Sequence, residues 1–214
     1  IGYISDGFFS SYEDIASSPV QFGQVSRPGD IKYKDLNHDG VIDSNDQAPI
    51  GYNPVPEMTF SLAAGLNWKG IDFSILLQGA ARSSIYLQQD IAWDNFWGNY
   101  YEEHIGRWTP ETAATATYPR FTKAATAAHP NYYKSDYWLK DSKYLRLKNI
   151  QLGYTIPRKL LKKFGVRSLR VYANAYNLFT WDNVKKVDPE SSNNSNGQFY
   201  PQQKVINFGI NLNF

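Results

Sequence analysis

The sequence predicts an all-β chain, an antiparallel transmembrane β-barrel segment with long extracellular loops. Three observations predict it. Apolar and polar residues alternate with a period of two through five stretches of about 10 to 14 residues, enough to cross a bilayer at a tilt near 45°. Tyr 16, Phe 12 and Trp 6 make the aromatic fraction 16%, yet mean hydropathy is -0.50. That combination suits a barrel, whose strands show only every second residue to lipid. Finally, short and long connections take turns between the stretches, as short periplasmic turns and long extracellular loops do in outer-membrane barrels.

In chain order, residues 1–58 read as an extracellular loop region, and residues 59–214 as five barrel strands with their connections. Asp35, Asn37, Asp39, Val41, Asp43 and Asp46 occupy positions 1, 3, 5, 7, 9 and 12 of an EF-hand-like acidic loop at 35–46, with Gly40 at the sharp turn. Four carboxylates within these twelve residues repel one another unless a cation or solvent screens them. Strand-like spacing at Ile31 and Tyr33 and the nearby Pro49 leave no room for flanking helices, and Asp46 reaches less far than the usual Glu. Two readings stay open: a bound Ca²⁺ that holds the loop rigid, or a solvated Asx-rich turn.

The first strand alternates Phe60, Leu62, Ala64, Leu66 and Trp68 with Ser61, Ala63, Gly65 and Asn67. After Lys69 and Gly70, the second alternates Ile71, Phe73, Ile75 and Leu77 with Asp72, Ser74, Leu76 and Gln78, so the two form a hairpin. A charge such as Asp72 is costly in lipid, which sends the polar parity to the lumen. A long extracellular loop follows, at about 79–141. The third strand sets Ile150, Leu152, Tyr154 and Ile156 against Asn149, Gln151, Gly153 and Thr155, and Pro157 stops it. Residues 157–165 predict one or two helical turns between Pro157 and Gly165. The fourth strand sets Leu169, Val171, Ala173 and Ala175 against Tyr172, Asn174 and Tyr176, and residues 182–203 form another long loop. In the fifth, Ile206, Phe208, Ile210, Leu212 and Phe214 alternate with Asn207, Gly209, Asn211 and Asn213. Phe208, Ile210, Leu212 and the final Phe214 resemble the assembly signal of outer-membrane barrels. Five strands cannot close a membrane barrel, since the smallest have about 8, so the chain is expected to be a piece of a larger one.

Composition excludes several classes. The net charge of +2 and scattered Lys and Arg, apart from the cluster Arg158, Lys159, Lys162 and Lys163, give no nucleic-acid footprint. Zero Cys removes disulfides and thiolate metal sites. No catalytic site is expected: His38, His104 and His129 stand far apart, and no nucleophile elbow or phosphate loop occurs. The central loop concentrates aromatics, among them Trp93, Trp97, Tyr100, Tyr101, Trp108 and Trp138. A small core for the loop itself is the first reading, contact with a partner protein the second, and direct substrate contact the third.

The stretch PGDIKYKDLNHDGVIDSNDQAPIG, then ILLQGA, YLRLKNIQLGYTIP, NAYNLFTW and the terminal FGINLNF, together with ISDGFFSSYEDI near the start, resemble the C-terminal portion of the SusC/RagA family of TonB-dependent outer-membrane transporters. The resemblance implies a barrel of about 22 strands with an N-terminal plug, of which this chain would supply the last five. It implies a SusD-like surface lipoprotein as lid, TonB engaged through a plug region absent here, outer-membrane lipid around the barrel, and an oligosaccharide or peptide as substrate in nutrient import such as glycan uptake. The competing expectation is a calcium-stabilised extracellular β-module for carbohydrate binding or adhesion.

Overall fold

The structure, a computed structural model, describes residues 1–123, 126–184, 187–191 and 201–214. In chain order the elements are β1 (Ser5–Phe8), α1 (Tyr12–Ala16), β2 (Val20–Gln21), β3 (Ile31–Tyr33), β4 (Val41–Ile42), β5 (Met58–Trp68), β6 (Ile71–Ala81), β7 (Ser84–Tyr86), β8 (Leu139–Asp141), β9 (Tyr144–Thr155), α2 (Arg158–Leu161), β10 (Ser168–Asp182) and β11 (Val205–Asn213). They divide into two compact units.

The unit built from residues 55–83, 142–190 and the β11 region is one five-stranded sheet in the order β11-β10-β9-β6-β5. Every neighbouring pair is antiparallel. The hairpin between β5 and β6 turns at Lys69 and Gly70, both at positive φ (49° and 89°), the backbone of a type I′ turn that matches strand twist. Between β9 and β10, α2 and a further helical turn at Lys162–Phe164 end at Gly165, whose φ of +68 closes the turn in the left-handed region.

Register joins the predicted apolar residues into continuous rows. Leu66, Phe73, Leu152, Ala173 and Phe208 lie side by side across the sheet, as do Trp68, Ile71, Tyr154, Val171 and Ile210. The fourth strand therefore shows the expected face. This face is open: Leu62 is 62% exposed and Phe208 83%. Asn67, Asp72, Gly153, Tyr172 and Gly209 form a matching row on the other face.

One irregularity was not visible as alternation. The ladder slips between Leu76 and Leu77 where β6 meets β9, and between Tyr176 and Phe179 where β10 meets β9. Lys148 is the extra residue on β9, so Leu147 and Leu145 join Leu77 and Gly79 on the apolar face while Arg146 turns to the polar one beside Gln78.

The other unit contains residues 1–54 and 84–141. The excursion expected as a long loop at about 79–141 follows β6, and its residues 84–141 fold with the N-terminal segment. β1 pairs with β3, β2 with β4 and β7 with β8. Ser5 donates its N–H to Asp136 (2.8 Å), Ile31 to the Asn131 side chain (2.9 Å), and the Tyr33 hydroxyl to the Pro130 carbonyl (2.7 Å). Phe9, Ile31, Tyr33, Ile42, Trp93, Tyr118, Tyr132 and Trp138 form its core.

Candidate functional site

The polar face of the sheet carries two charged clusters. Arg170 on β10 donates through Nε (2.8 Å) and a terminal nitrogen (2.5 Å) to Asp72 on β6, a two-pronged pair. Its reach crosses β9 at Gly153, where a Cβ would fall 2.5 Å from both partners. The guanidinium also lies 4.8 Å from the Tyr172 ring centroid, and that ring covers Gly209 on β11. A single charged layer thus spans four strands because two glycines make room for it.

Nearer the other end of the sheet, Arg146 is 2% exposed. Its guanidinium bonds to Thr180 (2.9 Å) and pairs with Asp188 (2.8 Å) and Glu190 (3.2 Å), while Lys148 approaches Glu190 at 3.5 Å. Burial raises the pKa of Asp188, but the Glu190 N–H, the Arg146 guanidinium and the Gln202 N–H outweigh it and hold the carboxyl below the usual range. The described part of the connection after β10 is therefore tied to the polar face. Asn149 and Asn174 stand on the same face with side-chain oxygens that are buried and find no partner among the described residues.

In the loop unit the aromatics divide. Trp93 and Trp138 are 3% exposed and belong to the core. Asp94 sits among them fully buried, accepting from the Thr122 N–H (2.9 Å) and from the Tyr132 hydroxyl, with Tyr118 close by. Burial first, and then the Asp94 charge, push the Tyr118 and Tyr132 hydroxyls well above the ordinary phenol range. Trp108 is half-buried, whereas Trp97, Tyr100 and Tyr101 are exposed. Trp97 is 83% exposed at a φ of +53, a backbone state unusual for so bulky a residue. His104 lies in the core, its Nδ1 accepting from the Tyr101 N–H.

The acidic loop spends its carboxylates on its own backbone. Asp35 accepts from His38 (2.6 Å) and Gly40 (2.8 Å), Asn37 from Asp39, Asp39 from Val41, and Asp43 from Asn45. Asp46 is fully buried and accepts from Leu36 and Asp43, both at 2.8 Å. Burial raises its pKa, but those N–H groups prevail and keep it low. Among the described residues, no three Asp, Glu, His or Cys side chains converge as metal ligands do. These hydrogen bonds are those of an Asx-turn network, in which Val41 takes part through its N–H to Asp39.

Of the predicted assembly residues, Phe208, Ile210 and Leu212 lie on the exposed apolar face of β11, and Phe214 follows it, also exposed. Alternation did not single out the partners Asp72 with Arg170 or Arg146 with Asp188. For Asp72 and Arg170 the signal present was a charge on the polar parity of a strand, whereas Arg146 stands on the apolar parity of its strand and reaches the polar face only through the slip at Lys148. The expected long loop at 182–203 falls in part outside the described residues.

No family model matches the chain. It is similar to TonB-dependent receptor P26 of Formosa agariphila, 31% identical over 225 residues that cover 97% of this chain and 22% of that protein. It is similar also to TonB-dependent receptor SusC of Bacteroides thetaiotaomicron, 25% identical over 216 residues, covering 100% of this chain and 20% of SusC. The chain spans about a fifth of the length of these relatives. Among solved structures, the RagAB peptide transporter shares the fold with a TM-score of 0.71 at 19% identity, over 99% of this chain and 22% of that one. The RagAB peptide importer in the open-open state gives 0.70 at 20% identity, over 100% and 22%.

Proposed function

We propose, from the premise that this chain is homologous along nearly its whole length to TonB-dependent receptors that include SusC, that it supplies the last five strands of an outer-membrane barrel of about 22, part of an importer of oligosaccharides or peptides. One observation carries the reading. The register aligns Leu66, Phe73, Leu152, Ala173 and Phe208 into an uncovered apolar row, with charges and amides on the opposite face. Hydrocarbon is the solvent such a face suits, and a plugged, wet lumen suits the other. A secreted calcium-stabilised module for carbohydrate or adhesion would bury this row, which speaks against that alternative.

On this reading the Lys69–Gly70 turn and the 157–167 connection lie in the periplasm, and the long excursions lie outside the cell. Phe208, Ile210, Leu212 and Phe214 serve barrel assembly. TonB acts through a plug elsewhere in the protein, and a SusD-like lipoprotein caps the barrel. Exposed Trp97, Tyr100 and Tyr101 are the aromatics left for lid or substrate contact, while Trp93 and Trp138 serve packing. Sequence spacing supports Ca²⁺ in the loop 35–46, and the self-satisfied carboxylates support an ion-free turn. Calorimetric titration of the intact protein with Ca²⁺ decides: a heat of binding abolished by Asp39→Asn favours the ion.

The test of the whole reading uses the intact protein in its native cells. It should fractionate with the outer membrane, need detergent for extraction and bring a surface lipoprotein with it. Recovery as a monomer in plain buffer would overturn the assignment. Trp97→Ala with Tyr100→Ala should lower lipoprotein recovery severalfold if those residues meet the lid; unchanged recovery leaves them out of that interface.

A further inference from the structure

We propose that the short-connection end of the sheet is a built site for an anionic phospholipid. Its phosphate lies at the cations of residues 158–167, and an acyl chain lies in an apolar hollow beside them. The inference rests on the membrane-spanning reading above and adds to it a particular ligand and place.

The hollow is a feature of the apolar face, about 450 Å³ in volume, lined among others by Ile71, Leu152, Tyr154, Val171, Ala173 and Phe208. It exists because Ala173 stands between Leu152 and Phe208 in a row of otherwise large residues. The connection next to it holds Arg158, Lys159, Lys162, Lys163 and Arg167 with no Asp or Glu from 157 to 167. All five cations are exposed, and none makes an ion pair among the described residues. Elsewhere in the same sheet Arg146, Lys148 and Arg170 each have a carboxylate. Five such cations within ten residues are thus concentrated at this end, whereas at the opposite end Lys204 stands over the Phe179 ring.

Two further features suit a lipid interface. Leu161 is buried and anchors the turn, but Leu160 and Phe164 are 65% and 76% exposed beside the lysines. Apolar side chains displayed with cations are the pattern of a segment lying in the headgroup boundary. In the other short turn Lys69 sits 4.8 Å from the Trp68 ring, an amphipathic aromatic of the kind found at membrane interfaces. Spacing agrees as well. Tyr154 precedes Arg158 by four residues and Val171 follows Arg167 by four, roughly 13 Å of extended chain at about 3.3 Å per residue. With an interfacial layer of about 5–7 Å on each side and tilted strands, cations at phosphate level put the hollow at the first acyl methylenes. A zwitterionic headgroup would leave the net positive charge uncompensated, so the site selects an anionic one.

The experiment reconstitutes the intact transporter in bilayers of phosphatidylethanolamine and phosphatidylglycerol at 3:1, re-extracts it in mild detergent, and counts retained lipids by native mass spectrometry. Phosphatidylglycerol is expected at several times its bilayer share. The combined variant Lys159→Gln, Lys162→Gln, Lys163→Gln should lose at least tenfold of it, at roughly fivefold per cation, with phosphatidylethanolamine unchanged. Ala173→Leu, which fills the hollow on a lipid-facing position and leaves every charge in place, should lower retention of both lipids. Heat-modifiable mobility of each variant checks that the barrel has formed. Lipids retained at 3:1, or a lysine variant that keeps its phosphatidylglycerol, would overturn the site while leaving the barrel standing. An intact protein that needs no detergent would overturn the barrel reading and the site with it.

Discussion

Asp94 shows how much one side chain holds in the loop unit. It has no accessible surface and takes hydrogen bonds from the Thr122 backbone and the Tyr132 hydroxyl. Asp94→Ala would take the acceptor from the half-buried Thr122 N–H and leave the buried Tyr132 hydroxyl with the Thr122 hydroxyl alone, so the loop unit should lose about 1–3 kcal/mol, read as a lower melting temperature or faster hydrogen exchange around Trp93 and Thr122. An unchanged exchange pattern would mean that water replaces the carboxylate at no cost. His129 carries a pH dependence. Burial disfavours its charged form, with the Arg120 guanidinium working in the same direction against Asp30, and the folded pKa falls below the usual value. A histidine whose folded pKa is depressed contributes its stability above the unfolded value of about 6.5 and loses it as pH falls below that. Acidification from neutral should therefore lower the protection factor of the Asn131 N–H, which His129 Nδ1 accepts, once exchange is corrected for its intrinsic fall with pH. His129→Asn should flatten that response.

At the scale of elements, the period of two was enough to find all five long strands, the turn at Lys69–Gly70 and the helical turn after Pro157, because each is a local consequence of alternation or backbone preference. Pairing was less legible. β6 meets β9 across the whole 84–141 excursion, and nothing local records which distant strand lies next to which. The slip at Lys148 escaped for the same reason: a single extra residue reverses parity only relative to a neighbour. Consequently Arg146 was not recognised as a polar-face residue, nor Asp188 as its partner. In the loop unit, composition announced an aromatic core, but burial separated Trp93 and Trp138 from the exposed Trp97, which sequence could not do. Gly153 offers a test of the charged layer. Gly153→Val would drive a side chain into Asp72 and Arg170, breaking the pair and bending β9. Folded yield of the intact barrel should drop, and Gly153→Ala should fall between the two. Equal yield for all three would show that the strand absorbs the side chain.

Considered as a whole, the sheet has one face for hydrocarbon and one for charge, and the two should respond oppositely to the same substitution. Leu62→Arg, at an exposed apolar-face position near the middle of β5, would place a cation in lipid at about 2–4 kcal/mol near the midplane, while Ser74→Arg, on the polar parity, should cost far less. Denaturant titration of the intact barrel in bilayers measures the difference, and equal costs would argue against a lipid-facing row. The excursion between β6 and β9 has a kinetic consequence. Ser84–Tyr86 and Leu139–Asp141 form a ladder at its two ends, so once that ladder exists the intervening chain no longer has to be closed as a free loop. Shortening an effective loop about tenfold saves roughly 2 kcal/mol of closure entropy. An insertion that folds early would then act as a splint, turning the slowest zippering step of the sheet into a nearly local one.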